Sequence, residues 1–262
     1  MSKIYLAFTT VPKRMFAEFN SISRPPRLLL SYFYLGTANR ASMMRFSEWV
    51  LDSGAYSAES RGKPIKLDDY MRYIMEGVPK LPIGPPTTIF ALDVIGDWRA
   101  SLKNAQTMVG YGIDAVPTFH FGSPMEALKD MAAQFPRIAV GGIARGRPEQ
   151  KQRFFDECMG IVWPKLVHGF GITVTSIAER TPFDSIDSTT WGNPLRYGYY
   201  PRLGGSKMRT SYADSSIRTE VESYLRLEDK LASYWGPRLN PLRAEYLRTF
   251  KATPFLKEPY SV

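Results

Sequence analysis

Three aspartates at the ends of apolar, strand-like runs are the residues of this chain best suited to chemistry. They are Asp52 in VLDSGAYS, Asp93 in TIFALDV and Asp187 in FDSIDSTTW. A buried carboxylate without a partner costs several kcal/mol, so packing alone rarely places one there. Carboxylates serve as nucleophiles and as general acids or bases. The three segments therefore predict a cluster of carboxylates at one mouth of a barrel, where such folds carry their chemistry.

Each aspartate has a chemical and a structural interpretation. Asp187 is the best nucleophile candidate, because a carboxylate can attack the anomeric carbon of a sugar and form a covalent ester. Asp184, three residues earlier, is its rival. Asp93 could accept hydrogen bonds from the N–H edge of a guanine-like base, or could pair with Arg99. Asp52 could act on a ligand or cap the turn that follows it.

Small residues beside these segments would allow a ligand to approach the backbone closely. They are Ser53, Gly54, Gly141, Gly142 and Gly169. The paired glycines in AVGGIARG could offer N–H groups to a carbonyl or phosphate. They could equally serve tight packing between a strand and a helix, since no GxGxxG or P-loop pattern is present.

Histidine and cysteine usage gives no pattern for a metal site. The histidines, His120 in FHF and His168 in VHG, lie in apolar strands. Each could be an ordinary interior residue or could contact a base at a strand end. The chain has one cysteine, Cys158, which excludes a disulfide framework and a cysteine zinc site and fits a reducing cytoplasm.

The elements that must position these residues follow a strand–helix alternation. Eight strand candidates occur in order, namely KIYLAFT, RLLLSYFYL, WVLDSGAY, TTIFALDV, DAVPTFHF, RIAVGGIA, KLVHGFGI and DSIDSTTW. With helices between them, they predict an α/β fold, a (β/α)8 barrel of the TIM type. No apolar run reaches the roughly 18 residues of a membrane span, so no membrane partner is expected.

Helix starts are predicted at four places from capping signals. Asp68 would cap a helix with an apolar stripe that includes Met75, and Asp97 would cap the next one. Ser123 and Glu126 have the spacing of a capping box. A proline, Pro148, stands where a first helical turn tolerates it.

The character of the chain changes after Trp191. We predict a barrel over residues 1–191 and a basic, partly helical C-terminal appendage over 192–262, packed on it as one domain. The long helix pattern reaches Trp235 and is followed by a basic tail. The net charge of +9 and the aromatics among arginines favour a polyanionic partner. Candidate contacts to nucleic acid are Arg196, Tyr199, Tyr200, Arg202, Lys207 and Arg209. An ordinary basic, Tyr-rich surface is the alternative.

Five segments, in order over roughly residues 49–191, resemble the tRNA-guanine transglycosylase superfamily. LDSGAYS resembles its DSGGFQ element, and FALDVIGD resembles its strand ending in a base-recognising aspartate. AVGGIARG is similar to GGLAVGE and HGFGIT to MGVG. FDSIDSTTW is similar to the FDCV element that bears the nucleophile.

This chain also departs from the family pattern. The tRNA enzymes carry a zinc site of three cysteines and one histidine after the nucleophile, and this region has no cysteine here. The chain is shorter, and PTFHFG stands where the family has a glutamine-bearing segment. It most resembles the short, zinc-free phage and bacterial branch that inserts 7-deazaguanines into DNA.

The resemblance implies a base exchange by double displacement. Asp187 would attack C1′ and Asp52 would be the general acid and base, its pKa raised by neighbouring carboxylates. Asp93 would read the guanine-like edge, and the backbone of Gly141 and Gly142 would hold the base carbonyl. The remaining substrate contacts would be His120, Ser53, Gly54 and Gly169. No zinc and no cofactor are expected, and a free 7-deazaguanine base would be the co-substrate.

Four alternatives remain open at this stage. The acceptor could be tRNA, or the protein could be a glycosidase that releases the base to water. It could be a nucleic-acid-binding barrel without activity, although such a binder gains nothing from a carboxylate cluster. It could also be a phosphate-binding barrel enzyme, although no phosphate motif is present. The sequence leaves open which 7-deazaguanine is used, the target preference, the oligomeric state and any partner protein.

Overall fold

The computed structural model describes residues 2–8, 16–34, 36–143, 146–172, 174–192, 199–201, 207–209 and 215–253. At positions 37, 199–201, 207–209 and 215–216 the description covers the backbone only. Of the predicted nucleic-acid contacts, Arg196 and Arg202 therefore lie outside the described residues.

The strands form one large parallel sheet and one short hairpin. They are β1 Lys3–Phe8, β2 Arg27–Ser31, β3 Trp49–Asp52, β4 Ile89–Phe90, β5 Ala115–Val116, β6 Thr118–His120, β7 Arg137–Gly141, β8 Leu166–Gly169, β9 Ser185–Ser188, β10 Tyr199–Pro201 and β11 Lys207–Arg209. The large sheet has the order β5-β4-β3-β2-β1-β9-β8-β7-β6, and β10 pairs antiparallel with β11.

A proline divides the strand at which the large sheet closes. β5 and β6 are separated only by Pro117, which has no N–H to donate to a ladder. The carbonyl of Val116 accepts from Ala91 N at 2.9 Å, and that of Pro117 accepts from Ala139 N at 2.9 Å. The segment thus bonds to β4 on one side and to β7 on the other. The eight predicted strand segments close into a barrel, and the predicted (β/α)8 fold is confirmed.

Helices cover the outside of the barrel. They are α1 Phe16–Asn20, α2 Gly36–Ala41, α3 Ala55–Ser60, α4 Leu67–Arg72, α5 Trp98–Gly110, α6 Met125–Gln134, α7 Pro148–Val162, α8 Thr175–Arg180 and α9 Ser215–Thr249. After α4 the chain continues as a π-helical turn, Tyr73–Gly77, and a 3-10 turn, Val78–Lys80. Further 3-10 turns span Tyr32–Tyr34 and Thr190–Gly192.

The predicted helix starts were right at two places and wrong at two. Asp97 caps α5, its side chain accepting from the backbone N–H groups of the next turn, and Pro148 begins α7. The prediction for Asp68 was wrong, because α4 begins one residue before it and Lys66 holds the cap position. Ser123 forms no capping box, since Pro124 is the cap residue of α6. Met75 of the predicted stripe is exposed.

Apolar side chains form two cores. The larger one fills the layer between the sheet and the helices. The smaller one fills the interior of the barrel, and its members are Tyr5, Ala7, Leu29, Val50, Phe90, Val116 and Ala139, with Phe170 packed against them. Since neighbouring strand residues point to opposite faces, this list identifies the inward-facing positions of each strand.

Helix α9 packs directly on the barrel. Its residues Ile217, Val221, Tyr224 and Leu231 belong to the larger core. Its Glu228 accepts a hydrogen bond from Ile4 N at 2.8 Å, at the start of β1. The sequence predicted a tail after Gly236, but the chain continues as a helix to Thr249. This part of the helix is held on the barrel, because Leu239 is buried and Arg243 donates a hydrogen bond to the carbonyl of Pro182. Among the described residues, no helix is both long and apolar enough to cross a bilayer.

Candidate active site

The carboxyl ends of three parallel strands bring the predicted aspartates to one mouth of the barrel. Asp52 is the last residue of β3, Asp93 follows β4, and Asp187 lies in β9. The negative charges of Asp93 and Asp187 both act on Asp52. The predicted convergence of the three carboxylates is therefore present.

Asp52 is held in a form that can exchange a proton near neutral pH. Its Oδ2 accepts a hydrogen bond from Gly54 N at 3.0 Å. Burial, followed by the charges of Asp93 and Asp187, raises the pKa of Asp52 to about 7. A raised pKa of this kind is expected of a carboxyl group that acts as general acid and base, because such a group works best when its pKa is close to the working pH.

Asp93 pairs with a histidine, whereas the sequence offered Arg99 as its alternative partner. Its Oδ2 lies 3.0 Å from Nε2 of His120, which projects from the end of β6. Burial alone lowers the pKa of His120, but the contact with Asp93 and the charges of Asp93 and Asp52 outweigh it, so the pKa is raised. Arg99 instead stacks on Trp98, with 4.4 Å from its Cζ to the ring centroid. Two predicted base contacts thus form one unit.

Asp187 is almost fully buried, with 5% of its surface exposed. Its Oδ1 accepts a hydrogen bond from Gly171 N at 2.8 Å and lies 3.6 Å from Nε2 of His168. The oxygen Oδ2 has no protein partner among the described residues. One carboxylate oxygen is therefore fixed by the barrel, and the other is open to a reacting atom.

The rival nucleophile, Asp184, lies at the opposite end of the same strand. Its carbonyl accepts from Lys3 N at 2.9 Å, and its carboxylate lies 3.7 Å from Nη1 of Arg243. Because β9 runs from that end toward the mouth, the two aspartates are separated by the length of the strand. Of the two, Asp187 is the one that lies at the mouth with the other carboxylates.

Gly54 is required by its surroundings at the mouth. Its φ is +79°, and a Cβ built there would lie 2.2 Å from Ser31 Oγ and 2.5 Å from Phe33 Cβ. The sequence predicted that a ligand could approach the backbone here, but the groups that lie close to Gly54 are Ser31 and Phe33 of the protein itself. Gly54 therefore allows the end of β2 to pack against the turn that holds Asp52.

We expect Gly54→Ala to lower the free energy of unfolding by about 2–5 kcal/mol, from left-handed strain and overpacking together. Gly62→Ala is the matched control, because Gly62 has φ +62° and nothing within 4 Å of its Cβ position. It should cost only about 1–2 kcal/mol. Urea unfolding of both variants measures the difference, and equal losses would contradict the packing argument.

Gly141 and Gly142 lie at the mouth, as predicted, and the side chains around them limit their size. A Cβ on Gly141 would lie 3.0 Å from Phe170 Cβ. Gly142 has φ +81°, and a Cβ there would lie 3.2 Å from Nδ1 of His120. The glycines therefore make room for the two rings that border the carboxylates.

Two predicted substrate contacts face away from the mouth. Ser53 is 1% exposed, and its Oγ accepts from Ala55 N at 3.3 Å, so it shapes the turn. A Cβ on Gly169 would lie 2.9 Å from side-chain atoms of both Ile172 and Phe183, in the layer behind the sheet. Both residues follow an inward-facing neighbour on a strand, and alternation turns them outward.

The structure adds three polar residues to the interior that the sequence did not single out, Ser31, Thr118 and Ser185. They join His168, which the sequence offered as an interior residue or a base contact. All four are buried and lie at inward positions of their strands. Ser31 Oγ and Thr118 Oγ1 have no hydrogen-bond partner among the described residues. The signal that could have identified them was two-residue spacing from inward-facing residues, as for Ser31 from Leu29 and Ser185 from Asp187.

An apolar rim surrounds the mouth. Tyr56, Val94, Ile95 and Phe121 are exposed, and each follows the carboxyl end of a strand. Exposed apolar side chains grouped beside polar ones are typical of a binding surface. The rim offers flat or apolar contacts above the carboxylates.

The β10–β11 hairpin lies in the connection from the mouth end of β9 to the start of α9. Its backbone pairs Tyr199 with Arg209, Tyr200 with Met208 and Pro201 with Lys207. Four of the predicted nucleic-acid contacts, Tyr199, Tyr200, Lys207 and Arg209, therefore lie in this hairpin, which follows β9 in the chain.

No group of three or more His, Cys, Asp or Glu residues suited to hold a metal ion occurs within the described parts of the chain. The clustered carboxylates are instead connected to a histidine and to backbone N–H groups.

Comparisons with known proteins support the fold. No protein-family model matches the chain, and no curated protein does. Among solved structures, the chain is similar to one from Coccidioides immitis that is provisionally assigned as a fructose-1,6-biphosphate aldolase. The TM-score is 0.53 at 13% identity, over 88% of this chain and 91% of that one. At this identity the likeness shows the barrel fold alone.

Proposed function

We propose that the protein is a base-exchange transglycosylase that replaces guanine in DNA with a 7-deazaguanine. One observation carries the proposal. Asp52, a carboxyl group with a pKa of about 7, lies within the electrostatic influence of Asp187. Asp187 is held through Oδ1 by a backbone N–H, and its Oδ2 has no partner among the described residues. Two carboxyl groups in different environments are what a double displacement at a sugar carbon needs.

In the first half of the reaction, Oδ2 of Asp187 attacks C1′ of the target nucleotide. The C1′–N9 bond breaks and its electron pair stays with the departing guanine. Asp52 in its protonated form donates the proton that the guanine takes up. The products are a covalent sugar–aspartyl ester, an ionised Asp52 and free guanine.

In the second half, the incoming 7-deazaguanine occupies the same position. The Asp52 carboxylate removes the proton from N9, and N9 attacks C1′. The ester bond breaks and its electron pair returns to Asp187, while Asp52 is protonated again. The cycle ends with both residues in their starting states, so the exchange consumes no cofactor.

Asp93 and His120 supply base recognition in this proposal. The Asp93 carboxylate accepts from the N–H groups of the guanine edge, which guanine and 7-deazaguanine share. His120, 3.0 Å from Asp93, orients that carboxylate. The backbone of Gly141 and Gly142 holds the base carbonyl, next to the rings of Phe170 and His120 that pack against these glycines. The exposed rim residue Tyr56 offers an aromatic face.

The nucleic-acid part of the proposal rests on charge and on reach. The chain carries +9 at pH 7, which favours a polyanionic partner. A buried aspartate can react with a nucleotide only if the nucleotide leaves its stack and enters the mouth. The hairpin that contains Lys207 and Arg209 follows the mouth end of β9 in the chain. DNA is favoured over tRNA by the resemblance of the sequence to the zinc-free branch.

Incubation of the protein with duplex DNA or with tRNA, together with radiolabelled guanine or a labelled 7-deazaguanine, tests the proposal. We expect label to enter DNA and not tRNA, and Asp187→Asn to prevent it. Label in tRNA would move the protein to the tRNA-modifying enzymes. Guanine released without added base would indicate a glycosidase, and tight DNA binding without either product would indicate a binding protein.

A further inference from the structure

We propose that His168 is a positioning residue, which orients the carboxylate of Asp187 through Nε2 while a serine fixes the ring. This inference rests on the proposed function, since it concerns the nucleophile of that reaction. It adds a second layer to the site below the reacting carboxylates, formed by the pair His168 and Ser185.

The ring of His168 is locked in the interior of the barrel. His168 lies on β8 opposite Ser185 of β9, and its Nδ1 is 2.9 Å from Ser185 Oγ. The ring centroid lies 4.7 Å from that of Phe90 and 4.6 Å from that of Phe170. Only 5% of the surface of His168 is exposed, so neighbouring side chains surround the ring. The direction of Nε2 is therefore set by the barrel.

The other ring nitrogen faces the proposed nucleophile. Nε2 is buried and makes no hydrogen bond within the described residues, and Oδ1 of Asp187 is 3.6 Å away. If the Ser185 hydroxyl donates to Nδ1, the ring proton lies on Nε2 and points at that oxygen. A buried N–H without an acceptor is costly, so a small movement that brings Nε2 of His168 within hydrogen-bond distance of Oδ1 of Asp187 is favourable.

This arrangement assigns different tasks to the two oxygens of Asp187. Oδ1 accepts a hydrogen bond from Gly171 N at 2.8 Å and faces His168, whereas Oδ2 has no partner among the described residues. Donors that hold one oxygen leave the other as the attacking atom and restrict rotation of the carboxylate. Such restriction favours a reactive geometry.

Few other charged groups share this space. The ring of Tyr5 on β1 lies 6.3 Å from that of His168, but its hydroxyl donates to Glu48 at the far end of the barrel. Asp52 acts on Asp187 from across the mouth. The charge of Asp187 contributes to raising the pKa of Tyr224 on α9, whose hydroxyl forms a hydrogen bond with Ser188. Among these groups, His168 is the one placed to donate to Oδ1.

The test measures the rate of covalent adduct formation on guanine-containing DNA for His168→Asn and His168→Gln. Asparagine keeps a polar atom toward Ser185 and loses the group at Nε2, whereas glutamine places an amide near the Nε2 position. We expect H168N to slow adduct formation about 10- to 100-fold, the range for a hydrogen bond to a charged group. We expect H168Q to recover most of the rate.

A purely structural histidine would change the unfolding midpoint of both variants, and glutamine would then recover no more of the rate than asparagine. H168N with the wild-type rate, or H168Q no faster than H168N, therefore overturns the positioning role and leaves the proposed function standing. A wild-type protein that forms no adduct at Asp187 overturns both. If H168N does not fold, Ser185→Ala decides, because it keeps the ring and frees Nδ1. It should slow adduct formation, and an unchanged rate overturns the inference.

Discussion

Replacing Asp187 with asparagine is expected to lower base exchange by about 10⁴-fold or more, the size of effect seen when an enzymatic nucleophile is removed. Asparagine has nearly the same shape and can still accept from Gly171 N, so the fold should be retained. It cannot form the ester with C1′. Single-turnover incorporation of labelled base into DNA, at saturating protein, measures the loss.

Asp184→Asn is the matched control for this change. It removes the same charge from the same strand, three residues earlier, at the end opposite the mouth. We expect it to leave the exchange rate within a few-fold of wild type. Equal losses in the two variants would mean that the effect is one of charge or stability, and the assignment of Asp187 would fail.

Replacing Asp52 with asparagine is expected to lower exchange by about 10²–10⁴-fold, the contribution typical of a general acid and base. Adduct formation and the attack of the incoming base should both slow, since Asp52 serves both half-reactions. In wild type we expect the exchange rate to depend on pH around 7, where Asp52 changes its protonation state. The variant should lose that dependence.

The same substitution should stabilise the fold at neutral pH. The pKa of Asp52 is about 7 in the folded protein, against 3.8 as its ordinary value. Between these pH values the folded state binds the proton more than the unfolded state does, so the stability of wild type falls as pH rises from about 4 to about 7. Asparagine mimics the protonated form. Its advantage should be small near pH 4 and reach about 2–4 kcal/mol at pH 8.

The difference in stability between wild type and Asp52→Asn isolates the contribution of Asp52 from those of other titrating groups. One such group is Glu220, because burial also raises its pKa to about 7. Asp114→Asn is the control, because Asp114 is exposed at the start of β5, away from the mouth. Chemical unfolding at several pH values measures the gap. If Asp52→Asn were less stable than wild type at pH 8, Asp52 would be a structural cap and its proposed role would be contradicted.

Much of the fold could be predicted from the sequence because each strand carries its own pattern of apolar residues and breakers. All eight predicted segments contribute to the barrel. The details that were missed depend on tertiary contacts. Nothing in the local pattern indicates that Lys66 is the cap residue of α4. Nor does it indicate that α9 continues past Pro237, where Leu239 and Arg243 anchor it to the barrel.

The candidate site was predictable where strand ends carry carboxylates, and less so elsewhere. Asp52, Asp93 and Asp187 converge because parallel strands end at one edge. Ser53 and Gly169 were predicted to lie at the mouth because they are close in sequence to strand ends. In the structure they point into the layer behind the sheet, because successive residues of a strand face opposite sides. The contact of His168 with Ser185 depends on the register between β8 and β9, which the sequence does not specify.

The central claim is that a sugar becomes covalently bound to Asp187, and peptide mass spectrometry after reaction with DNA tests it most directly. The reaction would be quenched with acid, the DNA trimmed by nuclease and the protein digested. The account predicts a deoxyribose-containing mass on the peptide that carries Asp187, absent from Asp187→Asn and lost when free 7-deazaguanine is added before the quench. A sugar adduct on another residue, or base exchange without any adduct, would contradict it.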